Sequence, residues 1–281
     1  MITQEHIVIQ GKHQKKILID AHYSSTGVNK PILIFCHGYK GFKDWGAWNL
    51  MAEAFATAGF YFVKFNFSHN GGTIKQPIDF PDLEAFGNNN YIKELDDLET
   101  VLDWTEHDKS VSQKANINNI TLIGHSRGGG ITIIKAEEDP RVKQIISLAS
   151  VCELENRTIK IQNLEIWKRD GVAFVINGRT NQKMPHYYQF YENYAANKIR
   201  LDIKRAVTNL KIPHLIIHGN NDTSVPITEA ENLHQWNSQS QLEIISGANH
   251  VFGAQHPWDN ENLPIHLKEV INKSIHFLNT I

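Results

Sequence analysis

Two patterns of apolar positions divide the chain. At the N-terminus, apolar and polar residues alternate over 6–9 and 16–21, on either side of the turn sequence Gly11-Lys12-His13-Gln14. Alternation of that period belongs to strands with one face buried, so this part predicts an antiparallel hairpin. Beyond it the alternation stops. The runs 32–36, 60–65, 120–123, 145–148, 214–217 and 242–245 are short and mostly apolar, as expected of strands buried on both faces. Between them lie stretches with helical spacing at 49–58, 91–104, 127–138 and 228–236, with a terminal amphipathic stretch at 267–278. In 91–104 the apolar stripe is Leu95, Leu98 and Leu102, and Pro140 stops the helix that begins near Arg127. Strands alternating with helices imply right-handed crossovers in a doubly wound, mostly parallel sheet.

The segment 153–207 breaks this rhythm. It is richer in polar and aromatic residues, among them Trp167, Phe174, Tyr187, Tyr188, Phe190, Tyr191 and Tyr194. It reads as a cap inserted into a core made of 1–152 and 208–281. Its aromatics are expected either to wall a pocket at the carboxyl ends of the strands or to pack the insertion's own small core.

With 281 residues the chain accommodates one catalytic domain carrying such an insertion. No apolar run approaches the roughly 20 residues of a membrane span. The formal net charge of -2, with both signs interspersed, removes the basis for binding nucleic acid or anionic lipid, which points to a small molecule as partner. Cys36 and Cys152 form neither a disulfide framework nor a zinc ligand set, and no metal-binding motif or cofactor fingerprint is present. The first ten residues lack a secretory pattern, so a cytoplasmic location with reduced cysteines is expected.

The chemistry is carried by Gly124-His125-Ser126-Arg127-Gly128, which follows an apolar run and opens a helix. A serine in that turn projects its hydroxyl into a cleft, and the helix N-terminus behind it adds partial positive charge. A serine hydroxyl is a poor nucleophile near neutral pH and needs a base held by an acid. Asp222, in His218-Gly219-Asn220-Asn221-Asp222 after the run 214–217, is the candidate acid, with Asp170 and Asp202 as competitors. His250, in Gly247-Ala248-Asn249-His250 after the last run, is the candidate base. Two main-chain donors are needed for a developing oxyanion, and the N–H groups of Arg127 and Tyr39 stand in the right places. Tyr39 belongs to His37-Gly38-Tyr39-Lys40-Gly41, where His37 is expected to hydrogen-bond the loop and not to act as a base. His69-Asn70-Gly71-Gly72 reads as a turn.

These motifs resemble the α/β-hydrolase superfamily, in the branch of bacterial serine esterases similar to feruloyl and cinnamoyl esterases and dienelactone hydrolases. The resemblance rests on His37-Gly38-Tyr39 followed by Gly41, Lys43 and Asp44, the elbow around Ser126 with Gly129 after it, Asp222 and Asn249-His250. It implies ester hydrolysis through an acyl-enzyme and an inserted cap. Dienelactone hydrolases proper use a cysteine nucleophile, and the serine here argues for an esterase. Thioesterase, lipase and serine aminopeptidase or acylaminoacyl hydrolase use the same triad, whereas haloalkane dehalogenase needs a carboxylate where this chain has a hydroxyl. A non-catalytic ligand-binding module on the same fold is the reading from another class. A homodimer stays open.

Overall fold

The alternating N-terminal segment and the continuous apolar runs end in the same sheet. The computed structural model describes residues 1–280. Its strands are β1 (Ile2–Gln10), β2 (Lys16–Ser24), β3 (Lys30–Cys36), β4 (Tyr61–Asn66), β5 (Ala115–His125), β6 (Val142–Leu148), β7 (Val172–Ile176), β8 (Lys183–Tyr187), β9 (His214–Gly219) and β10 (Gln241–Ile245). Eight of them make one sheet in the order β1-β2-β4-β3-β5-β6-β9-β10. The strands from β4 to β10 in that order pair in parallel, while β1 with β2 and β2 with β4 are antiparallel. The sheet is therefore doubly wound and mostly parallel, with the hairpin added at one edge.

The pleat explains why the central strands read as unbroken apolar runs. On β3, Ile32, Ile34 and Cys36 enter one core while Leu33 and Phe35 enter the other. The first core is closed by helices Tyr91–His107, Arg127–Glu138 and Ile227–Trp236, and the second by Trp48–Thr57 and Ile265–Thr280. Strand β1, at the sheet edge, buries only one side, and alternates as its sequence does. No helix among the described residues is long and apolar enough to cross a membrane.

Between β6 and β9 the chain forms helices Glu155–Ile159, Leu164–Asp170, Gln189–Ala196 and Ile203–Asn209, and a separate antiparallel pair, β7 with β8. The pattern of apolar positions does not predict that pair. Phe174 and Ile176 on β7 face solvent, so the strand lacks the buried alternation by which strands are recognised. Most aromatics of this segment do not wall a cleft. Trp167, Phe190 and Tyr194 are buried in the first core, with the Phe190 ring 4.9 Å from that of Tyr91 and the Trp167 indole donating to the His186 carbonyl at 2.7 Å. Joining the existing core removes their large apolar surfaces from water, which an open cleft would not do.

Candidate active site

Strand β5 ends at His125 and the helix Arg127–Glu138 begins two residues later, leaving Ser126 alone at the joint. Its backbone takes φ 57° and ψ -120°, a conformation that costs a non-glycine residue about 1–3 kcal/mol. The main chain on both sides holds it there. Ser126 N–H donates to the Leu148 carbonyl at 2.9 Å, and its own carbonyl accepts from Gly129 at 3.0 Å and Val151 at 3.3 Å. The flanking glycines are required by contact: a β-carbon at Gly124 would lie 2.4 Å from the Gly128 carbonyl oxygen, and one at Gly128 would lie 2.3 Å from that of Cys36.

The loop after β9 carries Asp222, whose side chain is wholly buried. One carboxylate oxygen, Oδ1, accepts main-chain N–H groups from Ser224 at 2.8 Å and Val225 at 2.9 Å. The other, Oδ2, accepts from His250 Nδ1 at 2.7 Å. Burial alone would raise this carboxyl, but hydrogen bonds from His218, His250 and Val225 overcome it and hold the group well below the usual carboxylate range. In the neutral imidazole, an ionised Asp222 makes Nδ1 of His250 the donor and leaves the lone pair on Nε2. The competing acids are engaged elsewhere: Asp202 caps the helix Ile203–Asn209 and Asp170 pairs with Arg169 on the surface.

Ser126 and His250 line the same two cavities. Among the described residues Ser126 Oγ has no hydrogen-bond partner, and contacts of this kind commonly tighten only when substrate arrives. One positioning group was not foreseen. His125 Nε2 donates to the His250 carbonyl at 2.9 Å, and burial, then the neighbouring His250, pushes the His125 ring down to about 3, so it stays neutral. Nothing in the sequence marks it, because the residue before the serine is variable in the elbow pattern.

Tyr39 and Arg127 stand on the two segments that meet at Ser126. A β-carbon at Gly38 would lie 2.9 Å from Ser126 Cβ, so this glycine is what lets the loop after β3 approach the serine. Neither the Tyr39 nor the Arg127 main-chain N–H has a partner among the described residues. Their side chains reinforce the pairing. The Arg127 guanidinium sits 4.2 Å from the Tyr39 ring centre, 5.2 Å from Tyr91 and 5.7 Å from Phe190, with Glu94 at 3.4 Å as counter-ion. The Tyr39 hydroxyl in turn shares a hydrogen bond of 2.7 Å with His186 Nε2; burial foremost pushes that histidine down to about 3. His37 ties the loop, giving Nδ1–H to the Gly38 carbonyl at 2.9 Å and accepting from Phe67 N–H at 3.3 Å, with burial pushing its ring down to about 4. In the turn 69–72, Asn70 accepts from Gly72 N–H at 2.9 Å and donates to the Gly41 carbonyl at 3.2 Å, bracing the same loop.

The two cavities differ in character. The smaller, about 240 Å³, is lined by Trp45, Trp48, His125, Asn177 and Arg179. The larger, about 520 Å³, is bounded by Tyr39, Lys40, Arg157, Lys160, Val175 and Val225. Among the described residues no group of three or more His, Cys, Asp and Glu side chains is arranged to hold a metal ion.

Residues 27–200 match the family Hydrolase_4, described as serine aminopeptidase, S33. Of solved structures, Est1E from Butyrivibrio proteoclasticus with ferulic acid bound superposes with a TM-score of 0.72 at 19% identity, covering 98% of each chain. A dienelactone hydrolase from Anabaena variabilis superposes with a TM-score of 0.66 at 16% identity, covering 99% of this chain and 98% of that one. The non-heme chloroperoxidase CPO-A1 of Kitasatospora aureofaciens is 20% identical, over 91% of this chain and 97% of that protein. At such identities the structural likeness concerns the fold, which is that of the α/β-hydrolases.

Proposed function

Since the chain belongs to the serine aminopeptidase S33 family of α/β-hydrolases, we propose that it hydrolyses carboxylic esters of small molecules through an acyl-enzyme on Ser126. The observation that carries this reading is the strained Ser126 beside the Asp222–His250 pair, with two unpartnered main-chain N–H groups next to it. His250 Nε2 removes the hydroxyl proton as Oγ attacks the acyl carbon. The Tyr39 and Arg127 N–H groups take the oxyanion, and Asp222 stabilises the imidazolium. His250 then protonates the departing alcohol, water repeats the attack, and the serine is released. Residues 153–207 serve as a cap over the core 1–152 and 208–281, supported by Val175, Asn177 and Arg179 in the cavity linings.

The family's description raises amide cleavage as a second reading. An aminopeptidase must bind the substrate's α-ammonium group, for which an acidic side chain is the natural partner. Neither cavity at Ser126 is lined by an aspartate or glutamate, which favours esters. A fluorophosphonate probe tests the nucleophile: stoichiometric labelling at Ser126 is expected, together with turnover of aryl esters and little release from aminoacyl anilides. An unlabelled Ser126 in folded protein returns the chain to the non-catalytic reading, because an unactivated serine does not react.

A further inference from the structure

The charged side chains that line the two cavities at Ser126 are all basic. Lys40, Arg127, Arg157 and Lys160 line the larger cavity, and Lys40 and Arg179 the smaller. In a chain of net charge -2 this is a local property of the cleft. The arginines are already neutralised: Arg127 by Glu94, Arg157 by Glu153 and Glu229, and Arg179 by Asp79. The lysines are not. Among the described residues Lys40 Nζ has one hydrogen-bond partner, the Ile176 carbonyl at 3.5 Å, and lies 5.2 Å from the Tyr39 ring centre. Lys160 forms no ion pair among the described residues and is exposed while lining the larger cavity. Burial first, and then the Arg127 charge, lower the affinity of Lys40 for its proton, so an anion beside it restores what the cleft withholds.

We propose that Lys40 and Lys160 hold a carboxylate on the substrate, so that the preferred ester carries an ionised acid group on either its acyl or its alcohol side. This rests on the ester-hydrolase reading and narrows it. A carboxylate fits better than a phosphate, because the arginine forks that grip phosphate are occupied by carboxylates of the protein. The position suits the chemistry: Lys40 follows the oxyanion donor Tyr39 and borders both cavities. A substrate anchored there is held with its carbonyl at the serine.

Matched ester pairs test it with the full chain. Mono(4-nitrophenyl) adipate against its methyl-capped diester places the charge on the acyl side. 3-Acetoxybenzoate against 3-acetoxybenzamide places it on the alcohol side. In at least one pair kcat/KM for the anionic ester is expected to exceed the neutral one by about tenfold or more at low salt, shrinking as salt screens the contact. The ratio is expected to fall toward one in Lys160→Gln and in Lys40→Gln, and to persist in Lys160→Arg. Lys160 is exposed, so its variant tests the inference even where Lys40→Gln fails to fold. Equal or lower rates for the anionic member of both pairs, with Ser126 still labelled by fluorophosphonate, overturn the carboxylate site and leave the hydrolase standing. No turnover of any of the four esters, with Ser126 unlabelled, overturns both.

Discussion

Two sets of buried charges flank the loop after β3, and only one of them faces a cleft. On the hairpin side, Lys43 Nζ lies 2.6 Å from Asp20 and 2.5 Å from Asp44, while Lys64 Nζ lies 2.7 Å from Asp20 and also bonds Asp44. Lys64 is completely buried and the four charges cancel. Burial would raise the Asp20 carboxyl, but Lys64 and Lys43 hold it well below the usual carboxylate range. On the other side, Asp222 is likewise buried and held ionised, but its partner His250 lines the two cavities at Ser126. The comparison shows that a perturbed, desolvated charge does not by itself mark a reactive site. In the hairpin cluster each charge is matched within the protein. Around Ser126 a hydroxyl, an imidazole nitrogen and two main-chain N–H groups have no hydrogen-bond partner among the described residues.

If that contrast is sound, damage to the open set removes rate and damage to the closed set removes stability. The largest effect is expected for Ser126→Ala: a loss on the order of 10⁶-fold in kcat/KM with an unchanged melting temperature. A variant retaining most of its rate would remove Ser126 from the chemistry. Asp222→Asn is expected to lose on the order of 10⁴-fold in kcat, because an amide presents a donor to Nδ1 and reverses the imidazole tautomer. Steady-state kinetics with a circular dichroism melt separates this from misfolding. Lys64→Met is expected to cost about 3–5 kcal/mol of stability, measured by denaturant unfolding, because Asp20 and Asp44 must then share one cation. A drop in kcat as deep as that of Asp222→Asn would erase the distinction between the two clusters.

The smallest effect concerns His22, buried beside the closed cluster with both ring nitrogens unpartnered among the described residues. Burial, and then the Lys64 charge, push it down from 6.5 to about 4. The folded state thus binds this proton less readily than the unfolded chain. Its contribution is complete above about 6.5 and is lost as pH falls toward about 4. His22→Phe is expected to flatten the acid-side decline of stability, by on the order of 1–2 kcal/mol at about pH 5, in unfolding titrations at several pH values. An unchanged slope would mean that His22 holds its proton equally well in the folded and the unfolded chain.

The strands, the larger helices and the elbow were legible because each depends on residues adjacent in the chain. Apolar runs bounded by turns mark β3 to β6, β9 and β10, and the glycines around Ser126 announce the strand-to-helix turn. Asp222 and His250 could be nominated because each follows a recognisable strand, and their hydrogen bond joins two such loop ends. Other features have no local trace. Lys64 is one polar residue in an apolar run, and its counter-ions lie at 20 and 44. The pair β7–β8 exposes the side chains that would have revealed it.

What the amino-acid order determined by itself was therefore the set of elements and the candidate nucleophile, acid and base, since backbone periodicity and turn chemistry are written by near neighbours. Only the folded chain decided that Arg127 would be caged by Tyr39, Tyr91 and Phe190, that His125 would hold the His250 carbonyl, and that Lys40 would meet no counter-ion among the described residues. Those outcomes depend on which distant groups lose their water together, and no stretch of sequence carries that information alone.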